Sequence, residues 1–226
     1  MKLNDFFDKI FVINLERRPD RLEKFKKNAE ILNFEFEIFK AYDGKQIEDD
    51  FVYNNKPINI TQNQYYRGFD PYSKGSLGCL LSHLDIIKKS KDMGYKKILI
   101  LEDDVEFHID FNKRFDDFTL SFNKEWDMIY FSGSILETSD DYGYYKKLIS
   151  CHTTHSYAVC ESIYEYLIEN IEKNLYISPI DETYSIVQSN IKSFITIPFL
   201  TYQSGGFSDI QNSHVDYESI KKYTQK

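Results

Sequence analysis

The residues with the most chemical potential stand together in KKILILEDDVEF, Lys96–Phe107. Four apolar residues, Ile98 to Leu101, run straight into Glu102, Asp103 and Asp104 before Val105 restores apolar character. Adjacent carboxylates repel and raise each other's pKa unless positive charge sits among them. A hard divalent cation such as Mn²⁺ or Mg²⁺ accepts oxygen ligands and bridges to phosphate oxygens, so it would relieve that repulsion. The plainer alternative is a solvated acidic turn after a strand.

A basic stretch, NLERRPDR, spans Asn14 to Arg21. Arg17, Arg18 and Arg21 carry planar forks that match phosphate, next to a helix start whose free N–H groups attract anions. Arg18 and Arg21 could equally pair with Asp20 or Glu23. GSLGCLLSH, Gly75–His83, is a glycine-flanked helix start. Its glycines would let a ligand come close, while His83 reads more simply as a satisfied core histidine and Cys79 as a small core residue. CHTTHSYAVC, Cys151–Cys160, holds two Cys and two His, but their spacing fits no zinc pattern.

These groups need elements to position them. KIFVINL (Lys9–Leu15) reads as a buried strand, and Pro19 opens a helix whose apolar face is Leu22, Phe25, Ala29 and Leu32. FEFEIFK alternates as a second strand, and AYDG (Ala41–Gly44) is a turn. Leu77, Leu80, Leu81, Leu84 and Ile87 mark a helix, KKILIL a strand, and Phe111, Phe115, Phe118 and Phe122 another helix. WDMIYFSG, SYAVC and KSFITIP read as strands, with helices at 161–173 and 181–189. Strands alternating with helices indicate an α/β fold with a mostly parallel central sheet flanked by helices. Residues 1–226 read as a single domain, with 45–74 a long loop or flap and 205–226 a polar tail.

The net charge of −8 argues against nucleic-acid binding. Three cysteines without framework spacing read as reduced thiols. No apolar run reaches the length of a membrane span, and the N-terminus is a poor secretory signal, so the expectation is a cytoplasmic chain, with peripheral contact at the inner membrane face left open.

Taken in order, VINLERRPDRLE, AYDG and GSLGCLLSHLDIIKKSKDMGYKKILILEDDVEF resemble the family 25 glycosyltransferases, and the resemblance continues through SPIDETYS and QSGGFSDI. It implies a GT-A type, Rossmann-like nucleotide-sugar-binding domain. It implies inverting, metal-dependent transfer of a hexose, most simply galactose from UDP-galactose, to a saccharide, lipooligosaccharide or hydroxylated protein acceptor. Glu102 and Asp104 then stand for the metal-binding acidic motif, with Mn²⁺ or Mg²⁺ as cofactor. Asn14, Leu15, Arg17, Arg21 and Asp103 would border the nucleotide, Asp43 the uracil, and Ser82 and His83 the diphosphate or sugar. An inverting transfer needs one base for the acceptor hydroxyl. Asp181 is the first choice, with Glu182 beside it, and Asp209 is either a second base or a third metal contact. His155 and Tyr157 would line the acceptor pocket or lie in the core. The rival readings are a sugar nucleotidyltransferase and a non-catalytic carbohydrate-binding relic.

Overall fold

The computed structural model describes residues 1–48, 50–53, 56–57, 73–175, 178–210 and 213–216. The α/β class expected from the alternation of elements is borne out. The chain forms helix α1 (Leu3–Phe6), strand β1 (Lys9–Asn14), helix α2 (Pro19–Leu32), strand β2 (Glu37–Lys40) and a hairpin of β3 (Val52–Tyr53) and β4 (Lys56–Pro57). There follow α3 (Lys74–Asp92), β5 (Lys97–Glu102), β6 (Val105–Phe107), α4 (Phe111–Ser121) and β7 (Met128–Tyr130). A long hairpin, β8 (Ser134–Asp141) and β9 (Tyr145–His152), leads to β10 (Ser156–Cys160), α5 (Tyr164–Asn174) and α6 (Ile180–Val187). The chain closes with β11 (Ser193–Thr196), β12 (Thr201–Gln203), β13 (Gly206–Ser208) and β14 (Ser213–Val215).

Eight strands form the central sheet in the order β2-β1-β5-β10-β7-β11-β9-β8. It is mixed. The pairs β1–β2, β1–β5 and β7–β11 are parallel, while β10 runs antiparallel to both β5 and β7, and β9 to both β11 and β8. The β8–β9 hairpin extends the sheet, and most of β8 is exposed or half-buried.

Side-chain alternation builds two cores from one sheet. Phe11 and Ile13 of β1 and Ile98 and Ile100 of β5 pack with α3, α5 and α6. Their alternates Ile10, Val12, Leu99 and Leu101 pack with α2 and α4, where Phe25, Ala29, Phe111, Phe115 and Phe118 make an aromatic-rich layer. Helices on both faces therefore leave only the strand ends open to a ligand. The expected helix at Pro19 runs to Leu32 and buries Phe25 and Ala29, and Pro19 sits at its first turn. Of the expected flap 45–74, residues 49, 54–55 and 58–72 lie outside the described residues, as do 211–212 and 217–226 of the polar tail.

The glycines have a structural reason other than the expected one. A methyl group on Gly78 would run into the Tyr42 carbonyl oxygen, and one on Gly44 would stand 2.6 Å from the Gly75 nitrogen. The approach they permit is that of the AYDG turn to the start of α3. Gly78→Ala should therefore destabilise the fold by about 1–3 kcal/mol through overpacking, read as a lower denaturant midpoint with unchanged slope.

Candidate functional site: an acidic cleft at the carboxyl ends of β1 and β5

The parallel register places Ile13 opposite Glu102, so β1 and β5 end side by side. Alternation then divides the acidic run. Glu102 follows Ile98 and Ile100 toward α3, and Asp103 follows Leu99 and Leu101 toward α2. On the α2 side, Asp103 accepts Asn14 Nδ2 at 2.6 Å and Arg21 Nη1 at 3.1 Å. Burial raises the Asp103 pKa, against the pull of Arg21 and Asn14. On the α3 side, Glu102 Oε1 accepts the Thr154 hydroxyl at 3.0 Å and lies 3.4 Å from His83 Nε2. The backbone N–H of Glu102 is donated to the His155 carbonyl at 2.9 Å.

Asp104 lies beyond the strand. Pairing of β6 with β12 sets Gln203 opposite Val105, and Gln203 Nε2 reaches Asp104 Oδ2 at 3.2 Å. Arg21 Nη1 reaches the same oxygen at 3.3 Å, while buried Oδ1 has no hydrogen-bond partner. Burial and the neighbouring Glu102 charge push the Asp104 carboxyl up to about 7, against the opposing pull of Arg21. Burial also opposes ionisation of Glu102, but His83 and His155 outweigh it and hold that carboxyl below its ordinary value. Of the two coupled carboxyls, Glu102 is therefore the more readily ionised and Asp104 the less. An orphaned, buried carboxylate oxygen whose charge is resisted fits a divalent cation on oxygen ligands, which Glu102 and Asp104 would hold.

Behind them stands a basic rim closed by the C-terminal segment. Arg17 binds Asp43 (Nε to Oδ2, 2.7 Å) and Asp209 (Nη1 to Oδ1, 2.5 Å). Arg18 binds Asp209 at 2.6 Å and also pairs with Asp20, the alternative its sequence left open. Arg21 Nη2 donates to the Phe207 carbonyl at 2.8 Å. Burial opposes ionisation of Asp209, yet the bonds from Arg17 and Arg18 hold its carboxyl below the ordinary range. A cleft of about 300 Å³ opens beside this rim, lined by Glu16, Arg17, Lys40, Ala41, Asp43 and Gln46. Leu15 is half-buried between β1 and this cleft.

Asp181 lies in the first turn of α6, whose cap is Pro179, so it is not itself the cap. Its Oδ1 accepts the Glu182 N–H at 3.0 Å and its Oδ2 the Thr153 N–H at 3.3 Å. Thr153 has φ of 73°, a conformation that strains a β-branched residue and marks a place the surrounding structure over-determines. The strained turn directs Thr153 to Asp181 and Thr154 to Glu102. Burial raises the pKa of the Cys79 thiol, and the carboxyl groups of Glu102, Asp181 and Asp104 act on it in the same direction. The acidic run and SPIDETY therefore face one space.

Three other residues have structural partners. Ser82 is fully buried, its hydroxyl donating to Gly78 O at 2.7 Å and accepting Tyr42 N–H at 3.0 Å. His155 and Tyr157 are core residues. His155 Nε2 bonds Ser132, and Tyr157 links His83 Nδ1 at 2.8 Å to Tyr184 at 3.1 Å. Sequence reasoning missed Gln203, Thr153 and Thr154 as partners of the carboxylates. Gln203 depends on a pairing across 99 residues that carries no local signal.

These features define an α/β protein with a polar cleft of mixed charge at its strand ends. The chain belongs to glycosyltransferase family 25 (LPS biosynthesis protein), whose model matches residues 7–196. A glycosyltransferase 25 family member of Aedes aegypti is 36% identical over 140 residues, 58% of this chain and 22% of that protein. Procollagen galactosyltransferase 2 of Homo sapiens is 35% identical over 55% of this chain and 20% of its own length. A Bos taurus relative, "Probable inactive glycosyltransferase 25 family member 3", is 31% identical over 55% of this chain and 21% of its own length. The matches span about a fifth of the length of these relatives. The solved structure of A197 from STIV aligns with a TM-score of 0.44 at 11% identity, covering 95% of this chain and 93% of that one. No helix among the described residues is long and apolar enough to cross a membrane.

A raised folded-state pKa has a signed consequence. The native state binds the Asp104 proton more tightly than an unfolded carboxyl of 3.8, so metal-free stability falls as pH rises from about 4 to about 7. Asp104→Asn should remove that loss. In chelator-treated protein it should match wild type near pH 4 and be more stable at pH 8 by about 1–3 kcal/mol in denaturant titrations.

Proposed function

We propose that this chain is a metal-dependent, inverting hexosyltransferase that moves galactose from UDP-galactose to a hydroxyl of a glycoconjugate. The observation that carries the reading is the pairing of an under-neutralised acidic cluster with a rim of three arginines at the ends of adjacent parallel strands. A sugar-linked diphosphate with its cation is complementary to both halves. Family membership and the similarity to a protein named procollagen galactosyltransferase support the reaction class and the choice of sugar.

Glu102 and Asp104 would hold Mn²⁺ or Mg²⁺, which when bound neutralises charge on the departing diphosphate. Asp103 fixes Arg21 and Asn14 at the donor wall. Arg17 and Arg21 supply guanidinium groups for phosphate oxygens, and Arg17 and Asp43 border the cleft proposed for the base and ribose. Leu15 would flank that cleft. His83 sits behind Glu102, and Ser82 acts from one layer further back by tying Tyr42 to α3. Asp181 is the proposed base: the Thr153–Thr154 turn ties it to the Glu102 side of the cleft, and its two hydrogen bonds come from backbone N–H groups. Asp209 is a poorer base, because two guanidinium groups hold it ionised and occupy its oxygens. A diphosphate would take its place on Arg17 and Arg18.

Chain 1–226 is read as one catalytic domain. Its free thiols Cys79, Cys151 and Cys160 suit a reducing compartment, and a lipooligosaccharide acceptor would place it at the cytoplasmic membrane face.

UDP-galactose with Mn²⁺ should raise the melting temperature, and UDP should be released when acceptor is added. Release of pyrophosphate instead would identify a nucleotidyltransferase, and no shift at millimolar donor would refute the donor site. Asp181→Asn should lower turnover at least about 100-fold while keeping the donor-induced thermal shift. Asp209→Ala separates its two roles: a latch variant keeps turnover and lowers the KM for donor, whereas loss of turnover would make Asp209 the base.

A further inference from the structure

Cys79 and His83 are four residues apart on α3, so both project from one helix face toward the end of β5. There the Cys79 thiol, the His83 imidazole and the Glu102 carboxylate bring one ligand atom each within 4.8 Å of one another. His83 is fully buried, and its Nε2 has no hydrogen-bond partner of acceptable geometry. Glu102 Oε1 lies 3.4 Å from it. A buried imidazole nitrogen without a partner costs free energy unless something accepts or donates there. That nitrogen is aimed into the space it shares with a thiol and a carboxylate.

We infer that Cys79 Sγ, His83 Nε2 and Glu102 Oε1 form a second cation site, selective for a borderline metal of the Zn²⁺ or Co²⁺ class. The ligand set decides the class. Thiolate and imidazole suit Zn²⁺ and Co²⁺, whereas Mn²⁺ and Mg²⁺ prefer the all-oxygen surroundings of Asp104. The spacing decides feasibility. Nε2 and Oε1 already stand at about the edge length of a tetrahedron with bonds of ~2.1 Å, and Cys79 Sγ, within 4.8 Å of both, completes the face by a shift of at most about 1 Å. The outer contacts hold the imidazole in register. If Nδ1 donates to the Tyr157 oxygen and Tyr157 donates to Tyr184, the Nε2 lone pair is left for the metal. Thr154 holds Glu102 Oε1 from the other side. Cys79 and Glu102 are each half-buried, which gives an ion a way in from the cleft.

On binding, the thiol loses its proton to solvent and a sulfur–metal bond forms, with no change of oxidation state. Three protein ligands leave a fourth position open toward the cleft. Because Glu102 belongs to both sites, occupancy here withdraws it from Asp104. Zn²⁺ and Mn²⁺ therefore antagonise each other through one carboxylate. The site rests on this geometry alone and stands whether or not the transferase reading does.

The experiment is Co²⁺ titration of the whole chain, followed by its absorption and needing neither donor nor turnover. One equivalent should produce a thiolate-to-cobalt charge-transfer band in the near ultraviolet. The band should persist in Cys160→Ser, vanish in Cys79→Ser, and weaken at least tenfold in apparent affinity in His83→Gln. Equimolar Zn²⁺ should bleach it, whereas a hundredfold excess of Mn²⁺ should raise the Co²⁺ concentration needed for half the band and leave its saturating intensity unchanged. In unaltered protein, where no substitution can disturb folding, Zn²⁺ should slow maleimide labelling of Cys79 at least tenfold by peptide mapping and leave Cys160 unchanged. Absence of the band in folded wild type, its survival in Cys79→Ser, or equal labelling with and without Zn²⁺ would each overturn the site.

Discussion

Negative charge at the end of β5 is held without enough positive charge to balance it. Glu102, Asp103 and Asp104 follow one another at a buried strand terminus, and Arg21 is the cation that reaches two of them. The conflict falls hardest on Asp104, whose pKa is pushed up to about 7 by burial and by Glu102. Such a site is destabilising by itself, and a bound cation of the kind proposed would offset that cost. A protein with no use for a cation there would gain stability by replacing one carboxylate with an amide.

The rest of the architecture fixes that conflict in place. The parallel register of β1 and β5 sets Asn14 against Asp103. Pro19 starts α2 early enough that Arg21, one turn in, lies over the same strand end. The antiparallel insertion of β10 next to β5 brings Thr154 and His155 to Glu102 from the opposite direction. A wholly parallel sheet would send the amino end of β10 to the far edge of the molecule. The mixed topology is thus the means by which the 151–155 turn joins the cleft, carrying Asp181 with it through Thr153.

Much of this was legible because local periodicity and burial agree. The apolar stripes of α2, α3 and α4, and the runs of β1 and β5, are buried on both sides as their sequences require. The β8–β9 hairpin was not legible. Its first strand is polar and largely exposed, and its place comes from backbone pairing with β9, which sequence pattern does not encode. The contact of Gln203 with Asp104 is equally silent, since it rests on the β6–β12 pairing. The glycines of GSLGC are sites of close approach, but the approaching group is protein backbone and not a ligand: Tyr42 at Gly78 and Ile210 at Gly75. The odd and even division of the acidic run was available in principle. Residues 98 and 100 alternate with 99 and 101, and extending that count by two assigns Glu102 and Asp103 to different faces before any coordinates are consulted.

That division carries a chemical consequence beyond geometry. Glu102 faces a helix that offers sulfur and imidazole, while Asp103 and Asp104 face guanidinium and amide groups. One strand end therefore presents a softer and a harder half, separated by the thickness of a single β-strand. Glu102 is the hinge between them, because its oxygens can serve either half but its bonds to Thr154 and its proximity to His83 bias it toward α3. A cation on Asp104 must draw Glu102 away from that side or accept a poorer ligand set. On the proposed reading, the affinity of the acidic cleft for a hard metal would be set in part by groups that do not ligate it, namely the Tyr184–Tyr157–His83 chain that decides where the imidazole proton resides.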